Sequence, residues 1–160
     1  MKITILTVGK IKERYFTDAI SEYAKRLSKY CTLQMKEFPD EKTKENASEA
    51  EKEQVLTKEA MPILRFLEEH DGYVIALAIE GQKLSSEGLS KKMSDLMISG
   101  KSHFILIIGG SLGLSKDILR KSDELLSFSD MTFPHQLMRV LLLEQLYRGF
   151  RILNHEPYHK

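Results

Sequence analysis

Two runs of the chain, Tyr73–Ile79 and Phe104–Ile108, are apolar at every position. A strand with one wet face alternates polar and apolar residues, so an unbroken apolar strand needs cover on both faces. That requirement predicts a mostly parallel sheet with helices packed on both sides. Ile3–Val8 is a further apolar run, ended by Gly9, and reads as a buried first strand. Thr32–Phe38 alternates faces and stops at Pro39-Asp40, while Leu125–Ser129 reads as the last strand. Helical periodicity fills the intervals. Over Arg14–Tyr30, the residues Phe16, Ala19, Ile20, Tyr23, Ala24 and Leu27 recur at spacings of three and four. Residues 40–54 are almost all charged or small and read as a loop running into a helix that reaches Glu69, with a kink expected at Pro62. Ser86–Ser99 is amphipathic, Ser115–Lys121 makes a short helix, and Pro134–His155 makes a long terminal helix opened by a proline. No repeat or Gly, Pro or Ser-rich linker divides the chain, so one α/β domain is predicted over residues 1–160.

Composition limits the partners. With 24 Lys and Arg against 23 Asp and Glu, a formal net charge of +1 gives no global field to attract a polyanion. Nucleic-acid contact must therefore come from local patches, and such patches stand at Lys10-Ile11-Lys12 with Arg14, Lys25-Arg26 with Lys29, Lys91-Lys92, and Lys116 with Arg120-Lys121. The single cysteine, Cys31, has no partner for an intrachain disulfide or a zinc ligand set, which fits a reducing cytoplasm. The first apolar run falls far short of the roughly 20 residues that span a bilayer. It also lacks a signal-peptide cleavage pattern, so a cytoplasmic protein is expected.

In open parallel sheets, ligands lie beyond the carboxyl ends of the strands. Three segments there define one candidate site: Glu80-Gly81, Gly109-Gly110-Ser111 and Ser129-Asp130-Met131. Glycines directly after a buried strand let a ligand approach the backbone, or they simply form a strand-ending turn. The run matches neither G-x-x-x-x-G-K-[ST] nor G-x-G-x-x-G, so it is no P-loop and no strict dinucleotide fingerprint. Phe128 to Gln136 joins the last strand to the last helix. There Met131 and Phe133 either sandwich a flat ring or plug the core.

On the terminal helix, the period of 3.6 puts His135 and Arg139 on one side, near Leu142, Leu146 and Leu153. Apolar residues flank that stripe on both arcs, which calls for more partner surface than one small sheet supplies and predicts subunit association. A guanidinium among leucines needs a purpose, either a structural carboxylate or an anionic ligand. The tail Pro157-Tyr158-His159 adds a stacking ring and a titratable group.

Several stretches together resemble the ribosomal RNA large-subunit methyltransferase H family. They are Met1-Lys2-Ile3-Thr4-Ile5 with Val8-Gly9-Lys10, Leu84-Ser85-Ser86-Glu87-Gly88-Leu89, Ile107-Ile108-Gly109-Gly110-Ser111, Met131-Thr132-Phe133-Pro134-His135-Gln136, Glu144-Gln145-Leu146-Tyr147-Arg148 and Pro157-Tyr158-His159. The resemblance runs from end to end. It implies a SPOUT methyltransferase fold with a carboxyl-terminal trefoil knot, working as a homodimer with S-adenosylmethionine. The implied substrate is N3 of a pseudouridine in an intersubunit stem-loop of 23S ribosomal RNA; free RNA, a subunit and the assembled ribosome stay open as its carrier, and the near-neutral charge favours the assembled ribosome. By motif position, the cofactor-binding residues are Leu77, Gly109, Phe128, Ser129, Asp130, Met131, Thr132 and Phe133. Transfer to an imide nitrogen needs proton removal and anion stabilisation, but no metal or covalent nucleophile. Arg139 is assigned to anion stabilisation, His135 or His159 to base work, and Tyr158 to stacking. Two other classes remain open from the residues alone: a noncatalytic ribosome-associated RNA-binding dimer, and a nicotinamide-dependent oxidoreductase using Asp130.

Overall fold

A computed structural model describes residues 1–160 and shows a five-stranded sheet in the order β2-β1-β4-β3-β5, parallel at every pairing. The elements are β1 (Lys2–Val8), α1 (Arg14–Leu27), β2 (Thr32–Phe38), α2 (Glu49–Glu69) and β3 (Tyr73–Lys83), then α3 (Ser86–Ile98), β4 (His103–Ile108), α4 (Lys116–Lys121), β5 (Glu124–Ser127) and α5 (His135–Leu153). The central strands separate two cores, as continuous apolar runs require. Ile3, Ile5, Phe104 and Leu106 pack with α1, α3 and α5 on one face. Leu6, Val8, Ile105 and Ile107 pack with α2 and α4 on the other. No helix is long and apolar enough to cross a membrane.

The structure departs from expectation in two places. Helix α2 starts at Glu49, inside the stretch read as loop, because Ser48 accepts from the Glu51 N–H while the Glu51 carboxylate accepts from the Ser48 N–H. This capping box outweighs the charged composition of the stretch, and the helix continues past Pro62. Strand β3 runs four residues beyond Ile79, so Glu80-Gly81 is strand and not loop. A register shift between Leu77 and Gln82 returns the strand to β5, where Gln82 pairs with Leu126 and Lys83 with Ser127.

From β5 at one edge, the chain crosses the carboxyl ends of the strands to begin α5 beside β1 and β2. There Arg139 binds the Val8 and Gly9 carbonyls and the Glu37 carboxylate. This crossover stretches residues 128–134 over the strand ends.

The β3 irregularity depends on Gly81. A Cβ there would lie 2.6 Å from the Leu125 carbonyl carbon and 2.6 Å from the Leu126 nitrogen, backbone atoms that cannot swing aside. Gly81→Ala should lower stability by about 1–3 kcal/mol, read as a lower urea midpoint. An unchanged midpoint would contradict this packing.

Candidate functional site

A cavity of about 340 Å³ opens at the carboxyl ends of β3, β4 and β5. Its walls are residues 77–80 of β3, the loop 108–114 after β4, and residues 126–129 and 131–133 after β5, with His135 and Met138 of α5 closing it. Mixed apolar and backbone-polar linings at this position of an α/β sheet suit a small ligand.

The glycine loop owes its composition first to its own fold. A Cβ on Gly109 would lie 2.3 Å from the Gly113 carbonyl oxygen. Gly113 takes a positive φ of 82° and donates its N–H to the Gly110 carbonyl at 3.1 Å. The loop turns back on itself, so this wall of the cavity is peptide backbone. A bulky residue at Gly109 would therefore displace the loop as well as obstruct a ligand.

Beyond β5, Ser127 Oγ donates to the Ser129 carbonyl at 3.1 Å, and the Met131 N–H donates to Ser129 Oγ at 3.0 Å. This turn carries Met131 and Phe133 to the rim, where they stay 74% and 37% exposed, with Ile79 opposite at 55%. Apolar side chains left open at a cavity mouth mark a surface meant to be covered. Of the residues expected to bind a cofactor, Leu77, Gly109, Phe128, Ser129, Met131, Thr132 and Phe133 line the cavity. Asp130 is turned aside into an ion pair with Lys83.

His135 is the one titratable member of the expected catalytic set at the cavity. A Cβ on Gly9 would stand 3.3 Å from His135 Nε2 and 3.7 Å from Asp40 Cγ, so the imidazole and the carboxylate flank the same bare backbone. Burial, followed by the nearby Arg139 charge, pushes the His135 pKa below the ordinary imidazole value; Asp40 opposes and Lys12 adds to the lowering. His135 is therefore neutral at pH 7 and able to accept a proton.

Arg139 does not line the cavity. It is 1% exposed and donates to Glu37 Oε1 at 2.6 Å, to the Gly9 carbonyl at 2.7 Å and to the Val8 carbonyl at 3.2 Å. Of the two purposes open to it, the carboxylate partner is the one present. Gln136, the next polar residue, accepts the Lys12 N–H at 3.1 Å. The sequence reading missed Glu37, Gly9 and Gln136 as parts of the site. Gly9, a glycine ending a buried strand, carried a legible signal; Glu37 looked like any exposed strand residue.

The carboxyl-terminal pair lies elsewhere on its own chain. Tyr158 donates to Glu144 at 3.2 Å and sits under Arg148, and His159 meets Glu87 at 2.7 Å. Burial first, then its hydroxyl neighbour Tyr23, pushes the Tyr158 phenol to about 12, which suits stacking and not proton transfer. The tail is thus pinned against α3 and α5.

A family model described as "Predicted SPOUT methyltransferase" matches residues 1–159. A protein of Methanococcus maripaludis named "Putative ribosomal RNA large subunit methyltransferase H" is 61% identical over all of both chains. The "Ribosomal RNA large subunit methyltransferase H" of Bifidobacterium adolescentis is 58% identical, again over the full length of both. Among solved structures, a probable methylase family protein from Haemophilus influenzae aligns with a TM-score of 0.56 at 15% identity, covering 99% of this chain and 70% of its own. A putative methyltransferase from Legionella pneumophila, solved with bound cofactor SAM, aligns at 0.53 and 11% identity, over 94% of this chain and 66% of its own.

Arg139→Ala would strand the Val8 and Gly9 carbonyls and leave a cavity, while Glu37, 40% exposed, regains water. The expected loss is roughly 2–4 kcal/mol in urea denaturation. Arg139→Lys should recover only part of it, because one ammonium cannot reproduce the fork. Full stability in the alanine variant would rule out this anchoring role.

Proposed function

Because the chain belongs to the SPOUT methyltransferase family, we propose that it is an S-adenosylmethionine-dependent methyltransferase of large-subunit ribosomal RNA, acting on N3 of a pseudouridine. The observation that carries this reading is the cavity after β3, β4 and β5, whose rim holds seven of the expected cofactor residues beside a neutral His135. Family membership also implies the carboxyl-terminal trefoil knot, and the crossover of residues 128–134 is where the chain runs over the strand ends.

The residues present fit the cofactor. The folded-back Gly109–Gly113 loop presents peptide groups where side chains would intrude, and Leu77, Phe128, Met131 and Phe133 supply apolar surface for a flat ring. When bound, S-adenosylmethionine supplies an electrophilic methyl group. The protein's own task is to prepare the acceptor. An imide nitrogen between two carbonyls holds its proton at neutral pH, so that proton must leave for the nitrogen to attack. His135 takes it, and Asp40, across Gly9, offsets the positive charge formed on the ring. Arg139 orients this arrangement by holding Val8 and Gly9 beneath the imidazole.

We place the enzyme in the cytoplasm as a homodimer whose substrate is the RNA within the assembled ribosome. The exposed apolar rim of Ile79 and Met131 supports the dimer. Tyr158 and His159 contribute to chemistry only where a second protomer brings its tail to this cavity.

Titration calorimetry should show one S-adenosylmethionine bound per chain and no binding of a nicotinamide cofactor; the reverse would end this reading. In the pH–rate profile, loss of activity through His135 protonation should begin below the ordinary imidazole value of about 6.5, because the site lowers its pKa. Activity should persist from there up through neutrality, and His135→Asn should remove the acid limb. An acid limb at or above 6.5, or one unchanged in the variant, would exclude His135 as the base.

A further inference from the structure

We propose that the β1–α1 loop, residues 9–13, with the first two residues of α1, is the arm that takes the phosphodiester backbone of the RNA and sets the target base beside His135. The proposal rests on reading the cavity as an RNA methyltransferase site. The loop is fastened at both ends to the elements that carry the site. Gly9 donates its N–H to the Phe38 carbonyl at 2.8 Å and accepts from Arg139 at 2.7 Å, while the Lys12 N–H is held by Gln136 at 3.1 Å. A backbone so fixed presents its side chains without the added cost of ordering the loop at the moment of binding.

Between those fastenings stand Lys10 and Lys12, both exposed and in no ion pair. Each of the other basic clusters has at least one cation paired within the fold, with Lys25, Lys116 and Lys121 left free. Arg26 pairs with Glu22 at 2.8 Å, Lys29 with Glu156 at 3.5 Å, Lys91 with Asp95 at 2.6 Å and Arg120 with Asp117 at 2.5 Å, and Lys92 pairs with Glu124. Arg14 keeps only a loose approach to Asp18 at 3.8 Å, with its side chain 93% exposed. Lys12 is close enough to His135 to disfavour a second positive charge there. Through its N–H bond to Gln136, Lys12 is held beside the first turn of α5, so a phosphate drawn to it is brought to the end of the helix that carries His135. Tyr15 follows, 65% exposed, with its ring centroid 4.5 Å from that of Phe16. Unpaired ammonium groups beside an open aromatic face match single-stranded or loop RNA, whose phosphates seek cations and whose unstacked bases seek a ring.

The test compares three full-length proteins: wild type, Lys10→Gln/Lys12→Gln, and Lys25→Gln/Lys101→Gln. The last removes the same charge at the last turn of α1 and just before β4, from lysines that are also exposed and unpaired. Binding to ribosomes from cells lacking this enzyme is measured by co-sedimentation across a salt series, with S-adenosylmethionine affinity by calorimetry and methyl transfer alongside. The arm variant should bind ribosomes about ten-fold more weakly near 0.1 M salt, with a log–log salt slope shallower by about 1.4 for two lost contacts to single-stranded RNA. Its S-adenosylmethionine affinity should not change, and the control variant should behave as wild type. Equal losses in both variants, or none in either, would overturn the arm. Arm-dependent ribosome binding by a wild-type protein that transfers no methyl group would uphold the arm and sink the methyltransferase reading instead.

Discussion

The contact of Arg139 with the carbonyls of Val8 and Gly9 and with Glu37 joins parts of the chain that are 102 to 131 residues apart in sequence. A buried guanidinium is costly unless its donors are used; here three acceptors from the ends of β1 and β2 meet its two terminal nitrogens, while its Nε has no partner. Because α5 begins only four residues earlier, the same contact sets where His135 stands, how the β1–α1 loop leaves the sheet, and where residues 128–134 must cross. Cavity wall, His135 and loop thus share one anchor. The His135 pKa follows from it too, since the fixed positive charge beside the ring reinforces the effect of burial.

The fold was legible because its strongest signal is hydrophobic. Continuous apolar runs at Tyr73–Ile79 and Phe104–Ile108 leave few arrangements other than a sheet covered on both faces, and two cores divide along alternate residues of those strands. The errors came where local hydrogen bonding outweighed composition. Ser48 and Glu51 start α2 within a stretch whose charges suggested a loop, and Gly81 carries β3 through an irregularity that a hydrophobic pattern does not encode.

The site was legible in outline and not in its connections. Glycines after β4 and the aromatic-flanked segment after β5 pointed to the strand ends, where the cavity lies. Periodicity put Arg139 and His135 on one helix face but could not tell that one turns into the protein and the other towards the cavity. That distinction depends on Glu37, remote in sequence and ordinary in its own strand. The tail residues show the same limit: a sequence can nominate Tyr158 and His159, but their contacts with Glu144 and Glu87 follow from the packing of α3 on α5.

The account stands most directly on the product. Ribosomes from cells lacking this enzyme, incubated with the protein and S-adenosylmethionine carrying a labelled methyl group, can be digested to nucleosides and analysed by mass spectrometry. The account predicts that label enters large-subunit RNA alone and appears as N3-methylpseudouridine. Label in another nucleoside, or none in RNA despite bound S-adenosylmethionine, would contradict it.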